Sequence, residues 1–200
     1  CIYPVNIAAK DSRYRVRSVQ YFIKCIDLAA EFGAKTLLVT TGRGYYTEDK
    51  AEPWKRAVES IRAIAEIAKK YDIIVAIETM TRYATNIANN IIDLSQLIKE
   101  IGMPNVKPML DTVPMYMAGE TVEQYITTYG KELAHIHFLD GDGVSGAHLA
   151  LGDGIYPIMD YIESLKNYHG YLTPEICIAK YYLAPEKALK QCIDKLKEGI

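Results

Sequence analysis

Ile73-Ile-Val-Ala-Ile-Glu78 and Val106-Lys-Pro-Met-Leu-Asp111 are two short apolar runs, each closing on an acid, with a helical stretch near Asn90 to Ile101 between them. Continuous apolar runs of this length read as strands covered on both faces, which is the habit of parallel sheets. Strand, helix and strand in that order make a βα repeat. Towards the N-terminus, Thr36-Leu37-Leu38-Val39-Thr40 leads into a helix from about Pro53 to Lys70, with Ala57, Ile61, Ile64 and Ile67 on one face. Before it, Val19, Phe22, Ile23, Ile26, Ala29 and Ala30 recur at helical spacing between Asp11 and Phe32, and Gly33 stands where a helix-ending glycine would. Towards the C-terminus a helix is expected near Val122 to Tyr129. Leu133 to Leu139 and Leu172 to Ile176 then read as strands, each succeeded by a helical stretch, the last from about Pro185 to Lys197.

The repeat is about 35 residues, the length of one βα unit. Both a doubly wound sheet and a (β/α)8 barrel are built from such units. The polar residues separate them, because Glu78, Asp111, His137 with Asp140, and Glu175 all fall at the end of a strand, just before a loop. Barrels gather side chains from many strands at one C-terminal mouth. A doubly wound sheet converges on fewer strands and usually carries a Gly-rich phosphate loop, for which Gly42-Arg43-Gly44 is weak evidence. The expectation is an α/β protein of the (β/α)8 TIM-barrel kind, with residues 1–200 forming a single domain of its C-terminal five βα units. Five strands and six helices are legible, and the first helix has no strand before it. Measured against eight strands in about 250 residues, the chain is expected to lack the first three strands.

Half of the 200 residues are apolar and 24% are charged, which suits one globular domain with a sizeable core. With 23 basic residues against 25 acidic ones and no basic run, nothing marks a nucleic-acid or anionic-membrane partner, so a small molecule is the default. Cys1, Cys25, Cys177 and Cys192 lie far apart without metal or redox spacing, as suits free thiols in a reducing cytoplasm. No stretch approaches the length of a membrane span, and Cys1-Ile-Tyr-Pro-Val-Asn6 has neither an initiator Met nor a signal-peptide pattern. A cytoplasmic protein with further N-terminal sequence is expected.

Charged groups at the ends of buried strands are costly to desolvate unless they are paired or bind metal. Singly, a strand-end acid reads as a solvated carboxylate or a helix N-cap, and His137 as a satisfied core histidine. Four on successive strands weaken that reading. Two Glu, an Asp and a His offer oxygen donors and one borderline nitrogen, a set suited to Mn2+, Co2+ or Zn2+ in an open site. Calcium would want more oxygens and structural zinc would want thiolates.

His135-Ile-His137-Phe-Leu-Asp140-Gly-Asp142-Gly-Val-Ser-Gly-Ala-His148, Gly152-Asp-Gly154 and Pro174-Glu175, with Ile77-Glu78-Thr79 and Leu110-Asp111-Thr112, resemble the xylose-isomerase-like barrels. Within them the resemblance is to the ketose 3-epimerases, the fructoselysine 3-epimerases most of all, and it covers essentially the whole chain. It implies that Glu78, Asp111, His137 and Glu175 hold the metal and that Glu78 and Glu175 also move protons. The implied reaction is 3-epimerisation of a ketose or of a fructosamine such as fructoselysine. Removing a proton on one face and replacing it on the other independently calls for two general bases. His148 and Asp140 are expected in substrate or supporting contacts, with a surface histidine as the alternative for His148. His135 points to the same side of its strand as His137, with packing its favoured role. Tyr116 and Tyr181 follow matched ligands closely enough to be substrate-facing candidates. Tyr45, Tyr46, Tyr156 and Tyr182 read as packing or oligomer contacts.

Three departures from the family pattern stand out. Ala84 occupies a position where relatives often carry a substrate-holding Glu. Pro114 stands where the free-ketose epimerases commonly have a His, and no Arg follows His137 closely. The sugar is therefore left open. Related dehydratase or hydroxypyruvate isomerase chemistry would use the same metal set. An endonuclease-like phosphodiesterase would need more histidines than the four present. A sugar-binding barrel without catalysis is the reading from a different class. Assembly into a homo-oligomer remains open to any of these.

Overall fold

The first helix, α1 (Ser12–Glu31), begins where the Asp11 side chain accepts the Arg13 amide at 2.9 Å. It ends in a Schellman turn: Gly33, at φ +70°, donates to Ala30 O at 3.1 Å while Ala34 donates to Ala29 O at 2.8 Å. The glycine expected as a stop signal therefore serves as one. The protein is described here from a computed structural model covering residues 5–199, so Cys1 lies outside the described residues.

Two compact units divide the chain between Pro108 and Met109. The first contains α1, β1 (Thr36–Leu38), α2 (Ala51–Lys69), β2 (Ile74–Glu78) and α3 (Ile91–Ile101). β1 and β2 are parallel, with Leu37 opposite Val75. Val75, Ala76 and Ile77 are all buried, as a strand covered on both faces requires. The apolar stripe of α2 (Ala57, Ile61, Ile64, Ala65 and Ala68) is buried, as are Leu94, Leu97 and Ile101 of α3. Burying each of the Ile and Leu side chains among them stabilises the unit by roughly 1.5–3 kcal/mol. Asn105 fastens the turn before the third strand by donating to Ala65 O at 2.9 Å and Ile73 O at 3.3 Å.

β3 (Val106–Asp111) runs across the boundary. The second unit continues with α4 (Thr112–Met117), α5 (Val122–Tyr129), β4 (His135–His137), α6 (Ile158–Ser164), β5 (Leu172–Thr173) and α7 (Pro185–Gly199). β3, β4 and β5 are parallel, with Asp111 opposite His137 and His137 opposite Thr173. Within each unit the pairing follows chain order, β1 with β2 in the first and β3, β4 and β5 in the second.

The expected βα repeat and parallel strands are present, with two differences. A seventh helix, α4, starts directly after β3. Pro114 would ordinarily mark a break, but it sits in the first turn, where its missing N–H has no helical partner to lose. The last two strands are also shorter than their apolar runs. Beyond them the amides turn to loop partners, Leu139 to Thr112 Oγ1 at 2.9 Å and Asp140 to Leu149 O at 3.1 Å. Among the described residues Cys25, Cys177 and Cys192 are free, and no helix is long and apolar enough to cross a membrane.

The loop after β1 offers a sharp test of packing. Gly42 lies at φ +72°, and a Cβ there would stand 2.5 Å from Asn6 Oδ1 and 2.8 Å from Ala8 N. That Asn6 oxygen accepts the amides of Ala8 and Arg43, both at 3.0 Å. Gly42→Ala is expected to lower the unfolding free energy by about 2 kcal/mol or more, through strain and the displaced asparagine, as read by urea denaturation. An unchanged midpoint would show that this loop carries no strain.

Candidate metal centre

At the end of β3 the Asp111 carboxylate does two jobs. Oδ1 accepts the Val113 amide at 2.8 Å and so caps α4. Oδ2 is left 3.8 Å from His137 Nδ1 and 3.8 Å from His148 Nε2. His137 reaches this place because β4 is in register with β3, setting the two residues opposite each other. Thr112 reinforces the register by bonding both the amide and the carbonyl of Leu139 at 2.9 Å. Glu175, two residues past β5, places Oε2 3.3 Å from His137 Nδ1 and 3.3 Å from His148 Nδ1. Asp111 and His137 are buried, while Glu175 and His148 are partly so.

His148 comes from the long loop after β4, and Asp140 determines how that loop folds. Its Oδ1 accepts the amides of Gly141 at 2.8 Å and Tyr156 at 3.0 Å, and its Oδ2 those of Gly152 and Gly154, each at 3.0 Å. A β-bridge between Asp140 and Leu149 closes the loop, with bonds of 3.1 and 2.9 Å. Gly154 allows the close approach, since a Cβ there would meet the Asp140 carboxylate and the Gly141 carbonyl. On the far side, Asp153 accepts from Lys180 at 2.7 Å, Tyr181 at 2.6 Å and Gln191 at 2.9 Å. These bonds hold its carboxyl down at about 2.

The candidates of the second unit take different roles. Asp111, His137 and Glu175 come together, and His148 joins them. Glu78 is buried at the end of β2 in the first unit, followed by the buried Thr79. Both Asp140 oxygens are engaged by backbone amides, so it shapes the loop that carries His148. Tyr181 anchors that same loop, its hydroxyl also accepting the Ala150 amide at 3.1 Å. Tyr116 stacks on Tyr156 with ring centroids 4.1 Å apart. His135 presents its ring edge-on to His137 at 5.5 Å and bonds Thr173 Oγ1 at 2.9 Å. Burial and the neighbouring His137 lower its pKa. No spacing in the sequence announced that His148 would stand among the acids; the bridge that delivers it is a tertiary contact.

The donor set fits a divalent cation. One donor atom each from Asp111, His148 and Glu175 lies within 4.8 Å of the others. Donors about 2.1 Å from a shared ion stand roughly 3 to 4.2 Å apart, which brackets the separations of 3.3 and 3.8 Å seen here. The same groups also lie within ion-pairing distance of one another. Burial alone would raise the Glu175 carboxyl, yet bonds from His137 and His148 hold it far below the ordinary range. Burial alone would lower His148, yet Glu175 and Asp111 raise it.

A depressed carboxyl stabilises the fold above the ordinary glutamate value of 4.5 and loses that effect as pH falls through its folded value. A raised imidazole stabilises below 6.5 and loses that effect as pH climbs through its folded value. In EDTA, the Tm advantage of the native chain over Glu175→Gln is therefore expected to be largest between pH 4.5 and 6.5 and to shrink on both sides. A flat difference would show that the pairs contribute nothing. Asp140→Ala, which strands four amides, is expected to cost about 3 kcal/mol or more by chemical denaturation, and a loss under 1 kcal/mol would contradict the loop-organising role.

Known proteins place these observations in a family. A family model described as the xylose isomerase-like TIM barrel matches residues 1–199. Fructoselysine 3-epimerase of Shigella flexneri is 26% identical over 197 residues, covering 98% of this chain and 71% of that protein. A D-tagatose 3-epimerase-like protein of known structure superposes with a TM-score of 0.83 at 21% identity, over 99% of this chain and 76% of its own. D-psicose 3-epimerase of Clostridium cellulolyticum, solved with D-tagatose, gives 0.78 at 20% identity, over 97% and 73%. With its parallel βα repeat and its acids and imidazoles at strand ends, the chain belongs to the xylose isomerase-like TIM-barrel family.

Proposed function

We propose that the chain is a metal-dependent sugar epimerase that removes and returns a proton next to a carbonyl, inverting carbon 3 of a ketose or of a fructosamine such as fructoselysine. The observation that carries this reading is the convergence of Asp111, His137, His148 and Glu175 on one small volume. Similarity to the fructoselysine 3-epimerase of Shigella flexneri, over 98% of this chain, supports the same reaction class.

Epimerisation needs a base on one face of the reacting carbon and an acid on the other. Glu175 is one of these: its side chain is partly exposed and can meet a substrate. Glu78, a buried carboxylate at a strand end, is the second, the role that the family resemblance implies for it. Asp111 and His137, both nearly fully buried, hold fixed positions through the α4 cap and the β3–β4 register, which suits them to hold Mn2+, Co2+ or Zn2+ together with the two glutamates. When bound, such an ion supplies Lewis-acid polarisation of the substrate carbonyl. His135, held by the Thr173 hydroxyl, packs edge-on against the imidazole of His137.

The decisive experiment follows deuterium uptake from heavy water into a panel of ketoses and fructosamines by NMR, using Mn2+-loaded protein. Label is expected at carbon 3, and Glu175→Gln and Glu78→Gln should each slow its appearance at least about a hundredfold. Metal-loaded protein that exchanges no proton of any sugar in the panel would point to a binding barrel and overturn the proposal.

A further inference from the structure

The ligand set implied by the family resemblance contains one histidine, whereas two imidazoles face the same pair of oxygens here. His137 Nδ1 lies 3.8 Å from Asp111 Oδ2 and 3.3 Å from Glu175 Oε2, whereas His148 meets Asp111 Oδ2 at 3.8 Å through Nε2 and Glu175 Oε2 at 3.3 Å through Nδ1. We propose that His148 is itself a metal ligand, giving Nε2 to the same cation that Asp111, His137 and Glu175 hold. This inference rests on the metal-dependent reading above and adds a donor to it.

The two nitrogens of His148 have different surroundings, and the difference matters. Nδ1 lies 3.1 Å from the backbone carbonyl of Glu175. A carbonyl only accepts, so Nδ1 carries a proton, and Nε2, 3.8 Å from Asp111 Oδ2, is the nitrogen left to give its lone pair to an ion. Ligating histidines are typically held this way, one ring nitrogen fixed by a backbone oxygen and the other left to the ion. A histidine serving only as a hydrogen-bond donor to substrate would need the opposite arrangement, or a proton on both nitrogens.

The backbone bearing His148 is also built to hold still. The Asp140–Leu149 bridge ends one residue beyond it, and four amides of the loop point at the Asp140 carboxylate. Tyr181 pins Ala150 on the other side. A ligand must be positioned within a fraction of an ångström, and a loop root this heavily bonded supplies that precision. A surface histidine would be left largely in water, whereas the His148 side chain retains 18% of its exposure.

Two measurements test the assignment. Mn2+ titration by calorimetry on the native chain, His137→Ala and His148→Ala is expected to give one ion per native chain, with affinity falling more than about tenfold in both variants. Pulsed electron spin echo spectra of the Cu2+-loaded native chain should count two coordinated imidazoles, with one in each variant. The native count does not depend on the variants folding. A native count of one overturns the proposal even where His148→Ala weakens binding, because His148 would then only support the site. Affinity unchanged in His148→Ala overturns it while leaving the epimerase reading intact. Failure of the native chain to bind Mn2+ or Cu2+ would remove both.

Discussion

Glu175 Oε2 stands 3.3 Å from each of two imidazoles, and much of the second unit is arranged around that meeting. A carboxylate half withdrawn from water needs positive partners or a cation, because the loss of solvation otherwise returns it to its protonated form. The parallel ladder supplies one partner directly, since pairing β4 with β3 and β5 brings His137 beside both acids. It cannot supply the other. His148 must arrive from a loop, and that loop needs its own internal anchor. The four amides converging on Asp140 are the consequence: a buried carboxylate with no cation near it, satisfied entirely by the backbone it shapes.

The strand-end acids were legible in the sequence because the period of the elements is local. Ile73 to Glu78 and Val106 to Asp111 declare strands by their own composition, and the acid that closes each run is visible without any partner. The helix α4 was hidden for an equally local reason, a proline whose position in the first turn only the structure reveals. Asp140 and Tyr181 could not be told from site residues on sequence grounds. A strand-end aspartate reads the same whether it faces an ion or four backbone amides, and only the return of the chain at Leu149 decides between them. The place of His148 depends on contacts between residues far apart in the chain, which no spacing encodes.

Asp111 shows that the plain and the functional reading of a residue need not compete. One of its oxygens caps a helix, as the sequence alone would suggest, and the other faces two imidazoles. The cap fixes the carboxylate plane, so the same bond that stabilises α4 also aims the second oxygen. Thr112 acts similarly, closing the end of β3 onto Leu139 while holding the neighbouring strand at the right height. Secondary-structure chemistry and site chemistry are here the same set of bonds.

The loop between Asp140 and Leu149 has a tight root and a loose tip. Its root is fixed by the bridge and by the Asp140 carboxylate, whereas Asp142, Val144 and Ser145 form an exposed turn bonded mainly within itself. In evolutionary terms the tip is the part of this loop whose sequence is least tied to the position of His148, and so the part freest to vary.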